Sequence, residues 1–106
     1  MKIHLVIFVS STKEPTVGKT LIKTLESNIR PVRGDIIDDS GFHPEYHNGY
    51  EVVKCTLKYD TNECFVSLAP LVLEKEDIEL HTYIDRLKEH EWRIVTKEEL
   101  IKNETN

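Results

Sequence analysis

The clearest alternation of hydrophobic and polar positions runs from Asn48 to Leu73. Across Gly49 to Tyr59 (GYEVVKCTLKY), Val53, Cys55, Leu57 and Tyr59 fall on one face, and Lys54, Thr56 and Lys58 on the other. A period of two predicts a strand with one buried and one wet face. Asp60-Thr61-Asn62-Glu63 supplies turn-forming residues. The chain then returns as a second strand, with Cys64, Val66 and Leu68 on one face and Phe65, Ser67 and Ala69 on the other. With Thr61 and Asn62 as a two-residue loop, Tyr59, Leu57 and Cys55 oppose Cys64, Val66 and Leu68, and all six share the buried face. A slip of one residue would send half of them to water, so the pattern favours this register. Pro70 has no N–H to donate and marks an edge or a bulge.

The rest of the chain reads as elements around this hairpin. Lys2 to Ser10 is a strand with Ile3, Leu5, Ile7 and Val9 on one face and Val6 and Phe8 on the other. Ser11 to Gly18 reads as a polar loop around Pro15. In the next piece Leu21, Ile22, Leu25 and Ile29 have helical spacing, while Thr20, Ile22 and Thr24 are β-branched and favour a strand. The strand reading, Gly18 to Ser27 in a hairpin with the first strand, is adopted, with a helix as the alternative. Pro31 to Ile37 predicts a turn, sharpened by Gly34, into a short strand. Asp38 to Asn48 predicts a long loop anchored by Phe42 or Tyr46. Glu74 to His90 predicts an amphipathic helix with an apolar stripe of Leu80, Tyr83, Ile84 and Leu87, capped by Asp77. Trp92 to Val95 is short and extended. Thr96-Lys97-Glu98-Glu99 matches a capping box opening a terminal helix that ends near Asn103.

These elements predict an α+β fold, mostly β: a curved antiparallel sheet or partly open small barrel of five to six strands. A C-terminal helix at residues 77–90 packs on one face, and a short terminal helix follows. A chain of 106 residues accommodates one domain, here residues 1–103, with 104–106 frayed. Charged residues make up 31% of the chain and hydrophobic ones 39%, a balance that fits a soluble globular domain and not a disordered one. No run approaches the roughly 18 apolar residues of a membrane helix, and the N-terminal strand has no cleavage signal, so a cytoplasmic protein is expected. The net charge of −5 is uneven: residues 1–34 hold six Lys/Arg against two Glu, and residues 35–106 hold eight basic against seventeen acidic. Mutual neutralisation in the fold is the simpler reading; two charged faces meeting different partners is the other.

Candidate chemistry is sparse. In the two-residue-loop register Cys55 and Cys64 lie about four residues out of line. At roughly 3.3 Å per residue this exceeds a disulfide's reach, so two reduced, buried thiols are expected. Asp38, Asp39, His43, Glu45 and His47 form the densest set of metal-ligand types. Two imidazoles and a carboxylate suit zinc, but Pro44 argues against the helix that would align His43 with His47; a solvated loop without metal or cofactor is the simpler reading. Lys54, Thr56 and Lys58 with Phe65 nearby are the types a single-stranded nucleic acid would need, and the overall acidity argues against it. Gly18-Lys19-Thr20 lacks the first glycine of a P-loop, since Lys13 stands there. Arg33-Gly34-Asp35 reads as a turn.

The run Pro31-x-x-Gly34-Asp35-x-Ile37, followed by a loop and Gly49-Tyr50-x-Val52-Val53, resembles the first strands of small SH3-like barrels in bacterial and phage domains. The resemblance implies an architecture and no functional residues. The function expected is non-enzymatic: a module binding a protein partner or itself through an edge strand or the acidic helix. The first strand and the strand ending at Pro70 are the expected edges. A metal or small-molecule site on the Asp38–Asn48 loop is the alternative, and nucleic-acid binding through Lys54 and Lys58 a weaker one.

Overall fold

The computed structural model describes residues 1–43, 49–73, 79–96 and 99, with backbone alone for residues 14–17. The elements are β1 (Lys2–Ser11), β2 (Glu14–Glu26), β3 (Ile36–Ile37), β4 (Tyr50–Lys58), β5 (Glu63–Leu68), β6 (Leu71–Leu73), α1 (Leu80–Glu89) and β7 (Arg93–Val95). The strands form one sheet in the order β3-β4-β5-β1-β2-β7, with β6 also paired to β1. The sheet curls into an open half-barrel.

β1 carries apolar residues on both faces because it lies inside the sheet. It pairs antiparallel with β2 from Lys2↔Glu26 to Val9↔Lys19, and parallel with β5 from Lys2↔Glu63 to Val6↔Ser67. The expected strand at residues 18–27 is therefore real, and it is longer. Ser11↔Glu14 closes the hairpin over Thr12 and Lys13, so most of the expected Ser11–Gly18 loop is paired strand. Gly18 lies under the ring of Phe8, where an added Cβ would come within 2.3 Å of Cζ. Gly18-Lys19-Thr20 is thus strand and not a phosphate-cradling loop.

The parallel β1–β5 junction makes the sheet mixed and corrects the expected edges. The first strand is central, and the strand ending at Pro70 is enclosed by β4 and β1. Pro70 marks a bulge: four residues of β1, Val6 to Val9, face five from Ser67 to Leu71, after which β6 resumes the parallel pairing.

The β4–β5 hairpin forms as the alternation predicts, with a different register. Leu57 pairs with Cys64, Cys55 with Val66 and Thr56 with Phe65, around a four-residue turn from Tyr59 to Asn62. Asn62 takes φ 57°, and its N–H donates to the Tyr59 carbonyl at 3.3 Å. The register moves by two residues, so the faces are kept and the partners change. Tyr59 leaves the expected apolar face and is 79% exposed in the turn. A second correction concerns Val53. The pairing is irregular between Val52 and Lys54, and this bulge turns Val52 into the core and leaves Val53 45% exposed. Val52 is pinned from the other side, donating to the Asp35 carbonyl at 2.8 Å and accepting from Gly34 N–H at 2.9 Å. Gly34 makes that approach at φ +96°, a conformation costly for any residue with a Cβ.

The concave face holds the main core. Ile3, Ile7, Val52 and Val66 of the sheet meet Tyr83 and Leu87 of α1, and Trp92 closes one end. The helical stripe is buried as predicted. α1 starts at Leu80 after Glu79, whose side chain makes no capping bond; the expected cap, Asp77, lies outside the described residues. Val6, Ile22, Phe65 and Val95 form a smaller cluster on the convex face. Half of the predicted capping box is present, with Glu99 N–H donating to Thr96 Oγ1 at 3.0 Å. The Glu99 carboxylate accepts from Arg93 Nη1 at 2.8 Å. Glu99 is helical; the remainder of the terminal helix and residues 104–106 lie outside the described residues. Among the described residues, no helix is long and apolar enough to cross a membrane.

Candidate functional site

The acidic loop is anchored by Asp39. Its Oδ1 accepts from Lys23 Nζ at 2.7 Å, and its Oδ2 accepts from Trp92 Nε1 at 2.9 Å and from the N–H of Gly41 at 2.8 Å. Burial by itself would raise the Asp39 pKa, but the bonds from Lys23, Trp92 and Gly41 outweigh it and hold the carboxyl below the usual range. Next to this knot Phe42 is 2% exposed and packs edge-on against Tyr50, with ring centroids 4.9 Å apart. Phe42 is thus an anchor, as expected. Tyr83 OH accepts from His43 N–H at 2.8 Å and bonds with the Tyr50 hydroxyl. Burial and the neighbouring Tyr83 push Tyr50 well above the ordinary phenol range.

The described members of the predicted metal-ligand set, Asp38, Asp39 and His43, do not converge. Asp39 is turned inward on three donors, and Asp38 Oδ1 accepts from the Asp39 N–H at 2.9 Å. His43 engages α1 through its backbone. Glu45 and His47 lie outside the described residues. Among the described residues, no three His, Cys, Asp or Glu side chains converge on a metal position. The sequence reading missed Lys23 and Trp92. The signal was available: Lys23 interrupts the inward row Leu21-Lys23-Leu25 of β2, and a buried cation on such a row demands a carboxylate. This pair also joins the basic N-terminal segment to the acidic remainder, in line with neutralisation within the fold.

The lysine face lies on the convex side. Phe65, the ring proposed for base stacking, is 2% exposed and stacks on His4 with centroids 4.5 Å apart. A base could not reach its face without displacing His4. Lys54 is exposed, while Thr56 and Lys58 are half-buried.

His4 also carries a pH dependence. Its Nδ1 bonds Thr24 Oγ1 at 2.7 Å, and its Nε2 lies 3.7 Å from Glu63 Oε1, too far for a hydrogen bond. Burial lowers its pKa below the ordinary imidazole range; Glu63 opposes this, and Lys2 and Arg93 add to it. The folded state therefore binds the proton less readily than the unfolded chain. The contribution of His4 to stability is present above the unfolded pKa and lost as pH falls below it. Denaturant unfolding at pH 7.5 and pH 5 should show a smaller loss for His4→Gln than for the parent. Equal losses would place the pH dependence elsewhere.

Among the described residues, the outer edge of β4 is paired over only part of its length. β3 covers only its start, through Ile37↔Tyr50 and Ile36↔Glu51. From Val53 to Leu57 no strand pairs with that edge among the described residues. Cys55 and Leu57 are half-buried on the concave side, with the Cys55 thiol donating to the Pro31 carbonyl at 3.1 Å. Lys54 projects on the wet side. At the other end of the sheet β7 has only three residues, the short form in which edges are usually blunted, and Lys23 of β2 beside it is covered by Asp39. No family model matches the chain, and no curated protein or solved structure matches it either.

Proposed function

We propose that this chain is a non-enzymatic interaction module that takes an extended, acidic segment of a protein partner along the outer edge of β4. The observation that carries this is the run from Val53 to Leu57, which has a strand on its inner side and none among the described residues on its outer side. Alternate backbone N–H and C=O groups of such an edge point outward and accept an added strand. A strand laid there would cover half-buried Leu57 and bring its outward side chains beside Lys54. An acidic partner is favoured over a second copy, because a two-fold β4–β4 ribbon would gather the Lys54 and Lys58 side chains of both copies on one face.

The probe is a labelled synthetic peptide alternating glutamate with valine, followed by fluorescence anisotropy at low salt. It should bind, and Lys54→Glu should weaken binding about fivefold. One exposed attraction then becomes one repulsion, a change of about 1 kcal/mol. Added salt should weaken the parent complex toward the variant. Failure to bind, or equal binding of a peptide alternating lysine with valine, would reject the proposal.

A further inference from the structure

The tightened β4–β5 register has a chemical consequence. Cys55 pairs with Val66, and Cys64 with Leu57. The two thiols therefore sit diagonally on neighbouring strands, two residues out of line and on the same concave face, not four. They are near enough for the Cys55 thiol to act electrostatically on Cys64. Both are free thiols.

We infer that Cys55 and Cys64 form a reversible cross-strand disulfide when the protein meets a peroxide. Diagonal positions of an antiparallel pair are roughly 7–8 Å apart, with the Cβ atoms closer. A disulfide accepts Cα separations up to about 6.8 Å. A shift of about an ångström closes that gap, and β4 can supply it. It is held by a strand on one side only along Val53–Leu57 and already bulges at Val53. A bond made by such a shift is strained, which makes it readily reduced and suited to switching.

The two thiols have different roles. Cys55 is half-buried on the edge strand, where a small oxidant reaches it, and Cys64 is fully buried between β4 and β1. Burial raises the Cys64 pKa, and the Cys55 thiol raises it further, so Cys64 is the poorer first nucleophile. The Cys55 sulfur attacks the peroxide, the O–O bond breaks and one water leaves, giving a sulfenic acid. The Cys64 sulfur then attacks the Cys55 sulfur, the S–O bond breaks and a second water departs with the Cys64 proton. The two thiols give up two electrons and the peroxide accepts them. This inference does not depend on the proposed function, because its readouts are mass and thiol accessibility and not partner binding.

The test treats the reduced full-length protein with hydrogen peroxide and measures intact mass. The monomer should lose the mass of two hydrogen atoms and regain it with dithiothreitol. A non-reducing digest of the parent should yield the Cys55 and Cys64 peptides joined, which needs no variant to fold. Cys64→Ala should hold Cys55 as a sulfenic acid trapped by dimedone. An unchanged mass, oxygen added at Cys55 with Cys64 still alkylatable, or disulfides between copies alone would each overturn it.

Discussion

Asp39→Ala should lower the unfolding free energy by about 3–5 kcal/mol, the largest single effect expected of any polar residue in the fold. Lys23 and Asp39 side chains are 13% and 10% exposed, and their 2.7 Å contact is joined by the Trp92 and Gly41 donors. Truncating Asp39 leaves a buried ammonium and two N–H groups without an acceptor. The cost is that of the stranded donors more than of the pair itself. Replacing both partners, as Lys23→Met with Asp39→Leu, should therefore recover most of the loss. Urea unfolding of the two single variants and the double variant measures this. If the single variants cost under about 1 kcal/mol, the knot behaves as a surface ion pair. The depressed Asp39 pKa sets the pH window. Its contribution is complete above the unfolded carboxylate range and is lost as pH falls through the folded value. The parent should therefore lose stability in acid beyond the His4 effect, and Asp39→Asn should lose less.

Leu87→Ala should cost about 2–5 kcal/mol. Leu87 is fully buried on α1, and its carbonyl accepts both His90 N–H and Trp92 N–H, so it fixes the helix on the sheet and the chain that leaves it. Ile29→Ala is the control. Ile29 is 81% exposed, and its truncation should change stability by no more than about 0.5 kcal/mol. Denaturation of both variants separates the residues that the helix buries from those that merely look apolar in the sequence. Similar costs at the two positions would mean that α1 does not pack as described.

Much of the architecture was legible because period-two and period-3.6 patterns answer directly to burial. The faces of β1, the β4–β5 hairpin, the stripe of α1 and the short β7 all follow from which residues water excludes. The failures have physical causes. Alternation is insensitive to a shift of two residues, so the pattern puts Tyr59 in the core and sets Cys55 too far from Cys64. A bulge is invisible to a period, so the pattern assigns Val53 to the face that Val52 occupies. Parallel pairing between β1 and β5 is a long-range contact that local pattern does not encode, although apolar residues on both faces of β1 pointed to a central strand. In the acidic loop, residue types suggested ligands, but the decisive fact was a partner sixteen residues away: Lys23, on the inward row of β2, takes Asp39 for the core.

The central claim is that the outer edge of β4 is open in the free protein and closes on an acidic strand. Residue-resolved amide exchange by NMR tests it directly. In the free protein, alternate amides from Val53 to Leu57 should exchange fast while those facing β5 are protected, and the glutamate–valine peptide should slow the fast set. Uniform protection of all five amides without peptide, or a fast set that the peptide leaves unchanged, would contradict the account.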